Sequence, residues 1–154
     1  MQNKEPESSQ STPLLPMLSF EDAAAAIRWY ELVLGARETA RLTSPDGKIG
    51  YCELWIGQAT LSVADLWPEL NHTPRELGGT PVVLNLQVEN VDEVFARALE
   101  QGAKEILPVD DRFYGDRSGR IEDPFGYIWI LSRRIEEVAM AEMQRRFNEM
   151  SGGE

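Results

Sequence analysis

The chain states one pattern twice. Ser19-Phe20-Glu21-Asp22, a helix-like stretch and Gly35-Ala36-Arg37-Glu38 reappear as Gln87-Val88-Glu89-Asn90, a second helix-like stretch and Gly102-Ala103-Lys104-Glu105. The offset is 68 residues at the start (87 minus 19) and 67 at the end (102 minus 35), a slip of one residue within the helix. A third echo sets 56–63 against 125–132 at an offset of 69 (125 minus 56). A period this long, present only twice, is not a solenoid. It points to a duplicated supersecondary unit whose two sheets must cover each other, and it directs the search for function to the cleft between the copies.

Hydrophobic spacing gives each copy the same order. The first has strands at 15–20, 36–43, 49–55 and 58–64 and a helix at 22–34, where Ala23, Ala26, Ile27, Tyr30 and Leu34 recur at helical spacing and Gly35 ends the run. The second has strands at 82–88, 103–107, 119–122 and 127–132 and a helix at 91–101. Asn90 with Glu93 resembles a capping box there, and Val91, Val94, Phe95, Ala98 and Leu99 form one stripe. The expected class is α+β, with two tandem βαβββ modules (14–66 and 82–133) forming curved mixed sheets around a cleft. Residues 1–13 read as a disordered leader, 67–81 as a Pro- and Gly-rich linker and 134–150 as an added C-terminal helix. The 17 residues of 65–81 reach up to ~55 Å when extended, so the copies can pair within one chain or across two.

Fifteen basic against 26 acidic residues give a net charge of -11, which opposes binding to nucleic-acid phosphates. The single cysteine, Cys52, excludes an internal disulfide and a Cys-based zinc site, and no apolar run approaches the ~18 residues of a membrane span. These features read as a cytoplasmic protein that engages neither nucleic acid nor membrane.

The paired modules, the Ala26-Ile27-Arg28-Trp29-Tyr30 helix with its Leu34-Gly35-Ala36 turn, and the closing Glu122-Asp123-Pro124-Phe125-Gly126-Tyr127 resemble the vicinal oxygen chelate superfamily of glyoxalases, bleomycin-resistance proteins and extradiol dioxygenases. With Phe113-Tyr114-Gly115-Asp116-Arg117, they resemble a glyoxalase-like branch of small bacterial proteins. The resemblance covers about 14–132. It implies a divalent metal held by one side chain from the first and last strand of each module, and those positions fall on Leu15, Ser62, Val83 and Ile130. None is a competent ligand in this set, and the only histidine, His72, lies in the linker. The expectation is a chain with no metal and no cofactor.

Strand alternation predicts the cleft walls. Leu84, Leu86 and Val88 suit the helix-covered face, turning Val83, Asn85 and Gln87 the other way; Cys52, Leu54 and Ile56 go under the helix, turning Tyr51, Glu53 and Trp55 inward with Thr60, Ser62, Ile128 and Ile130. Asn85 and Gln87 suit ligand recognition and a wet or partner-covered sheet face equally. Tyr51, Glu53 and Trp55 offer a flat apolar wall with one anionic point, suited to planar or cationic molecules. The resemblance places Phe113 and Tyr114 at the cleft mouth. Trp55 alternatively buries itself at a module interface, Phe113 and Tyr114 alternatively anchor their loop, and Arg28, Arg117 and Arg120 alternatively pair with Glu53 or Asp116. The expected function is small-molecule binding of the bleomycin-resistance type by a homodimer. The alternative is a glyoxalase-like lyase or isomerase with Glu53 as general base and Tyr51 or Tyr114 as proton donor.

Overall fold

The computed structural model describes residues 13–152, so the expected leader lies outside the described residues apart from Pro13. The first copy comprises β1 (Met17–Phe20), α1 (Ala23–Leu34), β2 (Arg37–Thr43), β3 (Ile49–Ile56) and β4 (Ala59–Asp65). A short α2 (Pro74–Leu77) follows. The second copy comprises β5 (Val83–Gln87), α3 (Val91–Glu100), β6 (Lys104–Asp111), β7 (Asp116–Glu122) and β8 (Ile128–Arg134), and α4 (Met140–Gly152) comes last. The two four-stranded sheets have matching orders, β1-β4-β3-β2 and β5-β8-β7-β6. In each, the first strand pairs parallel with the last and the other pairs are antiparallel.

Local chemistry sets the helix ends. Asp22 caps α1 by accepting from Ala25 N at 3.1 Å, and Asp65 at the end of β4 accepts from Ala23 N at 2.8 Å and Ile49 N at 2.7 Å, tying helix start to sheet. Gly35 ends α1 in the left-handed conformation at φ 70°. At α3 the Asn90 side chain accepts from Glu93 N and donates to the Glu93 carboxylate.

One core spans both copies, built from the helix-covered faces of the two sheets with α1 and α3. Its centre is polar at a single point: Asp123, 2% exposed, accepts from Tyr30 Oη at 2.5 Å, Trp129 Nε1 at 2.9 Å, and Phe125 N and Tyr127 N at 2.9 and 3.0 Å. Tyr127 Oη donates to Ser19 O and accepts from Ser19 N, Trp29 Nε1 donates to Gln101 O, and the Arg97 guanidinium donates to Val33 O. The modules therefore share a core within one chain, while no sheet hydrogen bond joins them among the described residues.

Several elements differ from expectation. The linker holds α2, which Thr73 caps and Pro74 starts, a signal carried by three residues and too short for periodicity to reveal. β6 runs on through Pro108 to Asp111 because two register shifts absorb the proline. The final helix starts at Met140 rather than 134, because Ile135 N and Glu136 N both donate to Gly115 O and hold that segment against the β6–β7 loop. The echo at offset 69 is not a structural equivalence: it matches core Leu61 with Ile130, which lies on the opposite face. The registers Met17↔Ser62 and Asn85↔Ile130 set the offset of the end strands at 68 (85 minus 17, 130 minus 62).

Candidate functional site

Each sheet has one face under a helix and one open face, and β-strand parity assigns the candidates that lie on strands. In β3, Cys52 and Leu54 are fully buried and Ile56 nearly so, which leaves Tyr51, Glu53 and Trp55 on the open face. Register places Ser62 opposite Glu53 and Thr60 opposite Trp55. Those five residues form one patch. In the second sheet, Val83, Asn85 and Gln87 lie opposite Ile128, Ile130 and Ser132, and Arg120 lies opposite Ile130 on its other side.

Glu53 is the centre of the first patch. Its Oε1 accepts from Trp55 Nε1 at 2.8 Å and Thr39 Oγ1 at 2.8 Å, and its Oε2 accepts from Tyr51 Oη at 3.3 Å. These donors, Trp55 and Thr39 foremost, hold its carboxyl below the ordinary carboxylate value, so it is ionised at neutral pH. A carboxylate stabilised in this way is a weak base and a well-oriented anionic point. Tyr51 is pushed up, by burial first and the Glu53 charge second. Thr39 was not legible as a site residue: it is the extra residue of a bulge between Glu38↔Leu54 and Ala40↔Glu53, which re-aims its hydroxyl at Glu53.

In the second patch, Asn85 Oδ1 accepts from Ser132 Oγ at 2.8 Å, and Gln87 is exposed. Phe113 and Tyr114 lie in the β6–β7 loop. Phe113 packs on Tyr114 and on Phe147 of α4, with ring centroids 5.1 and 5.8 Å away, its carbonyl accepts from Arg146 at 2.9 Å, and Tyr114 Oη lies 3.4 Å from Ser118 Oγ. Phe113 thus anchors α4. The arginine alternatives also resolve: Arg117 pairs with Asp92 and Asp111, and Arg134 pairs with Asp116. Arg120 joins none of these pairs, and its buried Nε has no hydrogen-bond partner among the described residues.

Each patch lies on the open face of its own sheet. The hydrogen bonds and aromatic pairs between modules involve none of the candidate site residues. A hollow of about 290 Å3 at the module junction is lined by Phe20, Asp22, Arg75 and Phe125 among others, and Gln87 borders a separate one with Arg133 and Arg134. Neither hollow joins the Glu53 patch to Asn85.

The metal positions implied by the resemblance do not fit a metal. Ser62 is 2% exposed beside Met17, Val83 and Ile130 present hydrocarbon, Leu15 precedes β1, and no three His, Cys, Asp or Glu side chains converge among the described residues.

A duplicated βαβββ fold with this closing turn defines a class, and the sequence profile of the Glyoxalase/Bleomycin resistance protein/Dioxygenase superfamily matches residues 16–131. The chain belongs to that superfamily. It is 39% identical over 144 residues to the Mycobacterium bovis protein Mb0911c, covering 91% of this chain and 95% of that one. Among solved structures it is similar to TioX from Micromonospora sp. ML1 (27% identity, TM-score 0.63, 84% of this chain and 99% of that one). It shares the fold of the fosfomycin resistance protein FosX from Listeria monocytogenes, solved with Mn(II) and sulfate (15% identity, TM-score 0.63, 88% and 99% covered). No helix among the described residues is long and apolar enough to cross a membrane.

Proposed function

We propose that this chain is a metal-free small-molecule binding protein of the bleomycin-resistance type, acting in the cytoplasm as a homodimer that holds a hydrophobic, aromatic or cationic ligand between sheet faces. The observation that carries the reading is the Glu53 patch, an ionised carboxylate fixed at the edge of a half-exposed indole by three donors. Such a pair recognises a planar cation by charge and by ring contact. The hydrocarbon and hydroxyl side chains at the four metal positions support binding over metal chemistry. The acid-base alternative needs Glu53 to take a proton, and the groups around it favour the charged form instead.

The test is a titration with proflavine, a planar aromatic cation, and with a neutral tricyclic of the same size, followed by tryptophan fluorescence with product analysis of each mixture. Trp55→Ala should weaken proflavine binding by about 1 to 3 kcal/mol. Glu53→Gln should weaken proflavine more than the neutral compound, because it removes charge and nearly keeps volume. Conversion of a bound compound that Glu53→Gln abolishes would replace binding by catalysis.

A further inference from the structure

The second copy holds a charge where the first holds its opposite. Across the first sheet the open-face row runs Met17, Ser62, Glu53 and Ala40, and across the second it runs Asn85, Ile130, Arg120 and Leu107. The offsets between partners in these rows are 68, 68, 67 and 67, the same slip that the sequence repeat shows. Arg120 is therefore the counterpart of Glu53.

The surroundings of Arg120 suit an anion. Its cross-strand neighbours, Ile130 and Leu107, are apolar, which strengthens any charge interaction made between them. The carboxylate two residues along the same strand face, Glu122, lies 3.9 Å from Lys104, and Asp116 and Asp111 pair with Arg134 and Arg117. A buried guanidinium N–H without an acceptor costs free energy, and an arriving oxyanion offers two acceptors in the plane of the fork. Asn85 stands in the same row with its Oδ1 already engaged by Ser132, which leaves its amide N–H groups as further donors.

We infer that Arg120 is an oxyanion-binding residue on the open face of the second module, so that the ligand class is an aromatic molecule carrying a carboxylate, sulfonate or phosphate group. This rests on the binding reading above and deepens it: a ligand spanning both kinds of wall meets Glu53 at one end and Arg120 at the other, which selects amphoteric molecules over simple cations.

The probes are 1-anilinonaphthalene-8-sulfonate and N-phenyl-1-naphthylamine, which share an aromatic body and differ by the sulfonate. Each is titrated by dye fluorescence into the full chain, into Arg120→Met, which keeps an apolar stem without charge, and into Arg120→Lys, which keeps charge without the fork. The wild type should hold the sulfonate at least about tenfold more tightly than the neutral dye. Arg120→Met should erase that preference while leaving neutral-dye affinity and the unfolding midpoint in place, and Arg120→Lys should retain part of it. Undiminished sulfonate binding by Arg120→Met, or equal loss of both dyes, overturns the inference. Should Arg120→Met not fold, Arg120→Lys decides alone, an unchanged preference counting against the fork. A wild type that binds the neutral dye with no sulfonate preference overturns the subsite and leaves the binding reading standing. Binding of neither dye overturns the inference, and the binding reading is then decided by the proflavine titration.

Discussion

Asp123 is the residue on which the two modules meet, and its physics is a contest. Burial pushes its carboxyl up, while Tyr30, Trp129 and two backbone N–H groups pull it down; burial prevails, and the same burial with the Asp123 charge drives Tyr30 well above its ordinary value. A carboxylate raised in the fold binds protons more readily folded than unfolded. Its contribution to stability is full below the unfolded carboxylate value and is lost as pH rises through the folded one. Glu142 runs the other way: Arg145 and Arg146 hold it at about 2, so its small exposed contribution is present above the unfolded value and lost as pH falls through about 2. Carboxyl-carbon NMR should show Asp123 titrating above the ordinary carboxylate range and Glu142 near 2; the reverse order refutes the assignment. Asp123→Ala strands four donors in the core and should lower stability by about 2 to 4 kcal/mol in urea unfolding. Cys52 offers an independent check on burial. Its thiol is pushed up to about 11 by burial first and the Glu38 charge second, so a thiol reagent at neutral pH should label it only on unfolding.

The strands and helices were the most legible part of the sequence because each carries its signal locally. Cys52, Leu54 and Ile56 alternate with Tyr51, Glu53 and Trp55, and α3 shows its cap and its stripe. What sequence could not show was set by contacts between distant residues: the Thr39 bulge exists only in register with β3, the delayed start of α4 comes from Gly115 O, and the core that α1 and α3 share is built from both copies. Glycine illustrates the same division within β-strands. A Cβ at Gly119 would lie 2.6 Å from Phe95 Cε2 and 2.9 Å from Val109 Cγ2, whereas at Gly50 the nearest atom is 3.8 Å away. Gly119→Ala should therefore cost about 1 to 3 kcal/mol through displacement of the α3 contact, and Gly50→Ala should be close to neutral, both read from thermal unfolding. Equal effects would mean that the α3–β7 spacing is not set by that glycine.

At the scale of the whole molecule, the open faces are the unresolved demand of the fold. Each sheet leaves large apolar side chains uncovered on that side, with Met17 at 72%, Leu42 at 68%, Leu107 at 46% and Val83 at 39% exposure, while the covered faces are consumed by the shared core. A second copy of the chain satisfies both faces at once when the first module of one protomer meets the second module of its partner, in an arrangement related by a twofold axis. Sedimentation should then report about twice 17.4 kDa. The same geometry makes a sharper prediction. A Trp55→Ala chain damages one wall and an Arg120→Met chain damages the other, so each homodimer has only damaged clefts. After subunit exchange, a mixed dimer has one cleft with both defects and one with none. Mixing the two variants should therefore restore full-affinity sites for the sulfonate dye in about a quarter of the clefts, half the dimers being mixed and half their clefts intact. If both walls of a cleft came from one chain, every cleft would keep its defect and mixing would restore nothing. Recovery of full-affinity binding on mixing, absent from either variant alone, assigns the site to two chains.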